Sequence, residues 1–241
     1  MAEGDEVVDS FSDANIPVYV ISMKRTPHRY EYVTTQLRKL GIKNYKQWEA
    51  VDGFNTSEDE LVKYGVTPKL AKRKGIAGCA ASHISLWKHI RDNKLGWTLI
   101  IEDDAHFHPE FNKLFAHYWN RTPKDGKMVF PGFCVDTQGN SCKHAVIDKS
   151  VMCTHGYMVN SDSAKYLLDN IVPMDEPIDI MIAKHFRRRS GSYIFNDKYS
   201  VNGICPEDYR KENGKKCMFN GIIFQNHKEM GSVIHGPETV Y

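Results

Sequence analysis

Three consecutive carboxylates, Glu102, Asp103 and Asp104, follow an apolar segment and are the side chains of this sequence best suited to chemistry. Residues 99–101 before them are continuously apolar, which is typical of a β-strand covered on both faces. A buried strand cannot hold three charges, so the carboxylates are predicted to emerge at its C-terminal end, where ligands bind in open α/β sheets. Carboxylate oxygens of this kind bind hard divalent cations. A solvated acidic turn, with Asp104 capping the next helix, explains the local sequence equally well.

Composition describes an ordinary globular protein of 241 residues, with 41% hydrophobic residues, 26% charged residues and a net charge of +2. We expect a flexible segment at 1–15 and one domain at 16–241. The near-neutral charge argues against nucleic acid as a partner, because the basic clusters are short and lack interleaved aromatic residues.

The sequence contains no stretch of 18 apolar residues, and its N-terminal region is acidic. We therefore expect neither a transmembrane segment nor a secretory signal, while peripheral membrane contact stays open. None of the six cysteines forms a CxxC pair, which argues against a structural zinc site. These features predict mostly reduced thiols and a cytoplasmic protein; Cys205 and Cys217 could pair only in an oxidising compartment.

Strand and helix patterns alternate in the first third of the chain. A strand at 17–21, a helix from Thr26 to Leu40 that stops at Gly41, and a strand at 45–51 form a βαβ unit, which implies a parallel sheet. Further helices are predicted at 57–64, 75–91, from 109, at 161–170 and at 178–187, with strands at 128–135 and 151–159. The predicted class is α/β.

Six segments, taken in chain order, resemble glycosyltransferase family 25, which holds bacterial lipopolysaccharide and lipo-oligosaccharide galactosyltransferases and collagen galactosyltransferase domains. The segments are Val-Tyr-Val-Ile-Ser-Met-Lys-Arg-Thr-Pro-His-Arg (18–29), Glu-Ala-Val-Asp-Gly (49–53), Gly-Cys-Ala-Ala-Ser-His-Ile-Ser-Leu-Trp (78–87), Leu-Ile-Ile-Glu-Asp-Asp-Ala (99–105), Thr-His-Gly-Tyr-Met-Val-Asn (154–160) and Pro-Ile-Asp (177–179). The resemblance covers about residues 16–180.

The resemblance implies a single GT-A-like domain with a mostly parallel, Rossmann-like sheet flanked by helices. It also implies a UDP-hexose donor, Mn²⁺ or Mg²⁺, and inversion at the anomeric carbon. Asp104 is then the principal metal ligand, Glu102 a second or water-bridged ligand, and Asp103 directed towards the ribose. Asp179, in the Pro-Ile-Asp segment, is the candidate general base, although it is also placed to stabilise a helix N-terminus.

Donor-binding candidates lie in the loops that follow the first two strands, where nucleotides usually bind in α/β folds. They are Ser22, Arg25, Arg29, Asp52 and Gly53, although both arginines could equally be surface residues.

Three further candidates lie elsewhere in the chain. Ser82 could face the donor, and Gly156 could let a backbone approach the acceptor or the sugar. GT-A enzymes often take a late histidine as an additional metal ligand, and His227 is our candidate.

The sequence thus predicts a metal-dependent inverting glycosyltransferase that moves galactose or glucose from a UDP-sugar to a hydroxyl of a glycan, glycolipid or protein. A non-catalytic nucleotide-sugar binding module with the same fold is the alternative. A nucleotidyltransferase is disfavoured, because no Gly-rich phosphate loop follows the first strand.

Overall fold

The computed structural model describes residues 7–133, 145–148, 152–196 and 220–225. Its strands are β1 (Val18–Ser22), β2 (Tyr45–Glu49), β3 (Thr98–Glu102), β4 (Ala105–Phe107), β5 (Met128–Phe130), β6 (Gly132–Phe133), β7 (Ala145–Asp148), β8 (Gly156–Val159), β9 (Ser192–Asn196), β10 (Asn220–Gly221) and β11 (Ile223–Gln225). Its helices are α1 (Pro27–Lys39), α2 (Glu58–Tyr64), α3 (Pro68–Ala71), α4 (Lys74–Asp92), α5 (Phe111–Trp119), α6 (Ser161–Ile171) and α7 (Ile178–Phe186).

The central sheet has seven strands in the order β2-β1-β3-β8-β5-β9-β7. The pairs β1–β2, β1–β3 and β5–β9 are parallel, whereas β3–β8, β5–β8 and β7–β9 are antiparallel. The predicted α/β class with a helix-flanked, mostly parallel sheet is confirmed. Five of the seven strands run in one direction, and β8 and β7 run in the opposite one.

The pairing brings the ends of several strands to one edge of the sheet. Ile21 of β1 is in register with Glu102 of β3, and both strands run the same way. Because β8 is antiparallel to β3, its beginning lies at that edge too, with Gly156 opposite Ile101. The pairing of β11 with β4 places Gln225 opposite Ala105, beside the acidic residues. The topology therefore gathers segments that are distant in sequence around the end of β3.

Two apolar clusters cover the two faces of the sheet, one under α4, α6 and α7 and the other under α1 and α5. Part of the segment predicted to be flexible joins the second cluster. Phe11 is fully buried, and its ring centroid lies 5.4 Å from that of Phe111. Asn120 also bonds the backbone of Val8 through both its oxygen and its nitrogen. Val8 and Phe11 are thus packed against the domain, while the boundary at residue 15 stays a prediction.

The sequence patterns locate most of the elements, and the differences are local. Ser57 caps α2 in a capping box with Glu60. Helix α6 is capped by the side chain of Asn160, which accepts a hydrogen bond from the backbone N–H of Ser163. The strand predicted at 151–159 begins only at Gly156, and β5 ends at Phe130.

Candidate active site

A cleft opens at the gathered edge, between the ends of β1, β3 and β11, the loop after β2, and one face of α4. Of the predicted site residues it brings together Ser22, Arg29, Asp52, Gly53, Ser82, Glu102, Asp103 and Asp104. The three carboxylates lie in three different environments, which decide what each can do.

Asp103 is buried and held by an ion pair. Its carboxylate accepts hydrogen bonds from Arg29 Nε at 2.7 Å and from Ser22 Oγ at 2.8 Å. The Arg29 side chain is only 3% exposed, and its Nη2 atom also lies 3.4 Å from Oδ2 of Asp104. This geometry gives Ser22, Arg29 and Asp103 a direct role in holding the base of the cleft. Their contacts with a donor remain predictions.

Asp104 is 5% exposed and faces a surplus of negative charge. Burial, the nearby Glu102 carboxylate and Asp103 raise its pKa to about 7, although Arg29 opposes the shift. One oxygen accepts a hydrogen bond from Gln225 Nε2 at 3.2 Å. The backbone turns at residues 103–104, so the alternation of side chains along the strand ends at Glu102.

Glu102 belongs to a hydrogen-bond chain that starts in the core. Trp87 Nε1 donates to Tyr157 Oη at 2.8 Å, and that hydroxyl lies 2.8 Å from His83 Nδ1. A carboxylate only accepts hydrogen bonds, so the contact of His83 with Glu102 requires a proton on Nε2. Nε2 then donates to Glu102 Oε1 at 3.2 Å, and Thr154 Oγ1 donates to the same oxygen at 2.7 Å.

The pKa of Glu102 reflects these donors. Burial acts to raise it, but the hydrogen bonds from His83 and Thr154 outweigh burial, and the pKa falls to about 2. Glu102 is therefore a permanent anion next to a carboxyl, that of Asp104, which holds its proton up to about pH 7.

A second cleft adjoins the first and shares Cys79, Glu102 and Gln225 with it. Asp179, at the start of α7, lines this second cleft with Thr154. Burial raises the pKa of Asp179, although the backbone N–H groups of Ile180 and Cys153 donate to the carboxylate and oppose the shift. A half-buried carboxylate of raised pKa in a cleft has the character of a general base.

The loop after β2 is fixed against α4 by small residues and by Ser82. A Cβ on Gly53 would lie 1.8 Å from the carbonyl oxygen of Lys74, so only glycine fits there. The Ser82 hydroxyl accepts a hydrogen bond from the backbone N–H of Val51 at 2.8 Å and donates to Gly78. The structure thus gives Ser82 a role in positioning this loop, and its predicted contact with the donor remains untested.

Asp52 lies on this loop, where Arg25 Nε and Asn55 Nδ2 donate to one of its oxygens at 2.8 and 2.9 Å. Burial alone would raise the pKa of Asp52, but these partners lower it overall. The exposed Arg25 is therefore tied to the rim of the cleft. The exposed ring of Phe54 stands beside it on the same loop.

Two predicted residues lie away from these contacts. Gly156 is inside β8, where an added Cβ would meet the Ile223 side chain at 3.0 Å, so its missing side chain serves strand packing. His227 lies outside the described residues.

One of the described cysteines departs from the expectation of mostly reduced thiols. Cys153 is disulfide-bonded, whereas Cys79 is free. Cys205 and Cys217 lie outside the described residues.

Sequence reasoning missed Thr154, Tyr157 and Gln225. Thr154 and Tyr157 belong to one of the six segments that resemble the family, and that membership could have marked them as candidate site residues. Gln225 reaches Asp104 across 121 positions, and no local pattern indicates such a contact.

The donor set at this edge fits a divalent cation. A buried carboxyl whose pKa is raised by neighbouring carboxylates is stabilised by a bound cation, and oxygen ligands suit Mn²⁺ and Mg²⁺. Asp104 and Glu102 both line the cleft.

Residues 15–182 match the sequence profile of glycosyltransferase family 25, described as an LPS biosynthesis protein family. The chain belongs to glycosyltransferase family 25. The matched region extends from β1 past Asp179, so it includes both clefts except Gln225.

Three curated relatives illustrate the range of the family. A putative glycosyltransferase of Haemophilus influenzae is 28% identical over 79% of this chain and 70% of its own length. A putative glycosyltransferase of Acanthamoeba polyphaga mimivirus is 30% identical over 51% of this chain and 39% of its own. Human procollagen galactosyltransferase 2 is 27% identical over 70% of this chain and 30% of its own. The chain thus spans less than half the length of the viral and human relatives.

Among solved structures, a glycosyltransferase involved in glycosylation of the major capsid of PBCV-1 is similar, with a TM-score of 0.45 and 14% identity over 87% of this chain and 93% of that chain. Within the described residues, none of the helices has the length and apolar character needed to cross a membrane.

Proposed function

We propose that this family 25 glycosyltransferase is metal-dependent and inverting, and that it moves galactose or glucose from a UDP-sugar to a hydroxyl of a glycan, glycolipid or protein. The observation that carries the proposal is the pair of adjoining clefts. The acidic end of β3 lies in one, Asp179 lies in the other, and Glu102 belongs to both. This arrangement supports separate positions for the donor diphosphate and for the attacking hydroxyl.

The first cleft suits the donor. Asp104 would be the principal ligand of Mn²⁺ or Mg²⁺, with Glu102 as second or water-bridged ligand. Such an ion supplies Lewis-acid stabilisation to the charge that develops on the departing diphosphate. Ser22, Arg29 and Asp103 hold the floor of this cleft rigid, while Asp52, Gly53 and Arg25 shape its rim.

The second cleft suits the acceptor. Asp179 would take the proton of the acceptor hydroxyl as that oxygen attacks the anomeric carbon from the face opposite the diphosphate. The N–H groups of Ile180 and Cys153 fix the direction of the Asp179 carboxylate. Burial keeps the pKa of Asp179 above its ordinary value and so increases its basicity.

The direct experiment measures UDP release from UDP-galactose and UDP-glucose with a panel of acceptors, with and without Mn²⁺. We expect Asp179→Asn to lower turnover about 10²–10⁴-fold while the thermal shift caused by UDP and Mn²⁺ is retained. Asp175→Asn, an exposed carboxylate four residues earlier, is the matched control and keeps wild-type turnover. If Asp179→Asn retains full turnover, the assignment of the base is wrong.

The same assay separates catalysis from binding alone. Stabilisation by UDP and Mn²⁺ without turnover on any acceptor would favour the alternative, a nucleotide-sugar binding module.

The compartment is a separate proposal. The disulfide at Cys153 favours an oxidising compartment over the predicted cytoplasm. Alkylation of the native protein with and without prior reduction, read by mass spectrometry, tests it: modification of Cys153 before reduction would restore the cytoplasmic prediction.

A further inference from the structure

A thiol, an imidazole and a carboxylate converge where the two clefts meet. One ligand atom from each of Cys79, His83 and Glu102 lies within 4.8 Å of the other two. Cys79 and His83 are four residues apart on α4, so they share one face of the helix, and Glu102 reaches them from the end of β3.

We propose that Cys79, His83 and Glu102 form a three-ligand site for a transition-metal ion such as Zn²⁺, chemically distinct from the oxygen-lined position at Asp104. Sulfur and nitrogen ligands select zinc and its neighbours, whereas Mn²⁺ and Mg²⁺ prefer oxygen. Three protein ligands with an open fourth position are the pattern of accessible zinc sites.

The spacing requires only a small adjustment. Tetrahedral zinc with bonds of about 2.0–2.3 Å places its ligand atoms about 3.3–3.8 Å apart. His83 Nε2 and Glu102 Oε1 are already 3.2 Å apart, and the three ligand atoms all lie within 4.8 Å of one another.

The surroundings of the imidazole support metal binding. Tyr157 Oη lies 2.8 Å from Nδ1 and fixes the ring, as the outer partners of metal-bound histidines do. On binding, the Cys79 thiol gives up its proton to solvent as the sulfur–metal bond forms. His83 Nε2 loses its proton to solvent and Nδ1 takes one up, so the imidazole stays neutral and donates from Nδ1 to Tyr157 Oη, which also accepts from Trp87 Nε1.

The position of the site has a functional consequence. A metal ion bound here would use Glu102 as a ligand, so Glu102 would no longer be available to a cation in the donor cleft. The ion would also occupy the junction with the acceptor cleft. Zn²⁺ is therefore expected to inhibit transfer, and added Mn²⁺ should not fully reverse the inhibition.

The test uses the full-length protein under non-reducing conditions, without nucleotide, titrated with Co²⁺ as an optical substitute for Zn²⁺. We expect a thiolate-to-cobalt charge-transfer band that Zn²⁺ abolishes by displacement. Cys79→Ser should lose the band and bind Zn²⁺ more weakly by more than the roughly 10–100-fold that loss of an outer-shell partner costs. Circular dichroism verifies that Cys79→Ser is folded.

Asp104→Asn is the matched control, because it removes the neighbouring oxygen ligand and leaves the three proposed ligands in place. It should keep the charge-transfer band. The proposal is overturned if wild-type protein shows no band, if Cys79→Ser keeps the band, or if Asp104→Asn loses it. The readout is metal binding alone, so failure of the proposed transferase activity would not affect it.

Discussion

Asp103 and Asp104 are adjacent and similarly buried, yet their surroundings differ in charge. Donors surround Asp103, whereas an anion lies beside Asp104. Asp103 receives hydrogen bonds from Arg29 and Ser22 and is compensated within the fold. Asp104 faces Glu102, an anion of pKa about 2, and its own pKa is raised to about 7. A buried charge that the protein compensates supports the fold, whereas one that it leaves under-compensated prepares a place for a cation.

The largest expected effect comes from removing the under-compensated charge. Asp104→Asn should lower metal-dependent turnover by at least about 10³-fold, since a bound metal supplies several kcal/mol to the transition state. Stability without metal should stay the same or rise, because a strained buried charge is gone. UDP release and urea denaturation measure the two quantities. If Asp104→Asn retains turnover, or loses much stability, then Asp104 does not differ from Asp103 in the way proposed.

The compensated region should respond in the opposite manner. Arg29→Met leaves the Asp103 carboxylate buried and without its cation, which costs about 3–5 kcal/mol of unfolding free energy. Arg25→Met removes the exposed partner of Asp52 and should cost only about 0–1 kcal/mol. Urea denaturation of both variants compares a buried and an exposed ion pair in one protein. Equal costs would contradict a structural role for the Asp103 pair.

A smaller effect tests the hydrogen bonds that keep Glu102 ionised. Thr154→Val removes the hydroxyl that donates to Glu102 Oε1. It should lower the free energy of unfolding by about 1.5–3 kcal/mol, because the acceptor is charged. The matched control is Thr122→Val, an equally buried threonine that donates to the neutral carbonyl of Tyr118. That control should cost about 0.5–1.5 kcal/mol. Thermal denaturation near pH 7 compares them, and a control that costs as much as Thr154→Val would refute the charge effect.

Local sequence patterns predicted the elements of this site better than their relative positions. The βαβ unit and the strand that ends in three carboxylates follow from apolar periodicity and turn residues. Local periodicity contains no information on strand direction across 50 residues, so the reversed entry of β8, which brings Thr154 to Glu102, was not predicted.

The roles of the predicted side chains depended on the same long-range pairing. Ser22, Arg29 and Asp103 were each expected to face a ligand; in the structure they line the cleft and also hydrogen-bond one another, and their ligand contacts stay predictions. Residue type predicted that they would meet at one edge of the sheet. Only the contacts of Asp103, in the turn after β3, with Arg29 of α1 and Ser22 of β1 show that they compensate each other there.

The smallest expected effect is a pH dependence that distinguishes the two carboxylates flanking Asp103. The raised pKa of Asp104 stabilises the metal-free protein fully below about pH 4 and loses that contribution as pH rises through about 7. Glu102 has a lowered pKa, so its contribution is lost only as pH falls through about 2, and it does not titrate near neutrality.

A cation must displace the proton of Asp104, so Mn²⁺ should bind about tenfold more tightly at pH 8 than at pH 6, equivalent to about 1.4 kcal/mol. Calorimetric titration of Mn²⁺ at the two pH values measures this ratio, and Asp104→Asn supplies the background from other groups. An equal ratio in wild-type protein and in Asp104→Asn would mean that Asp104 is already ionised below pH 6. The two aspartates would then be compensated alike.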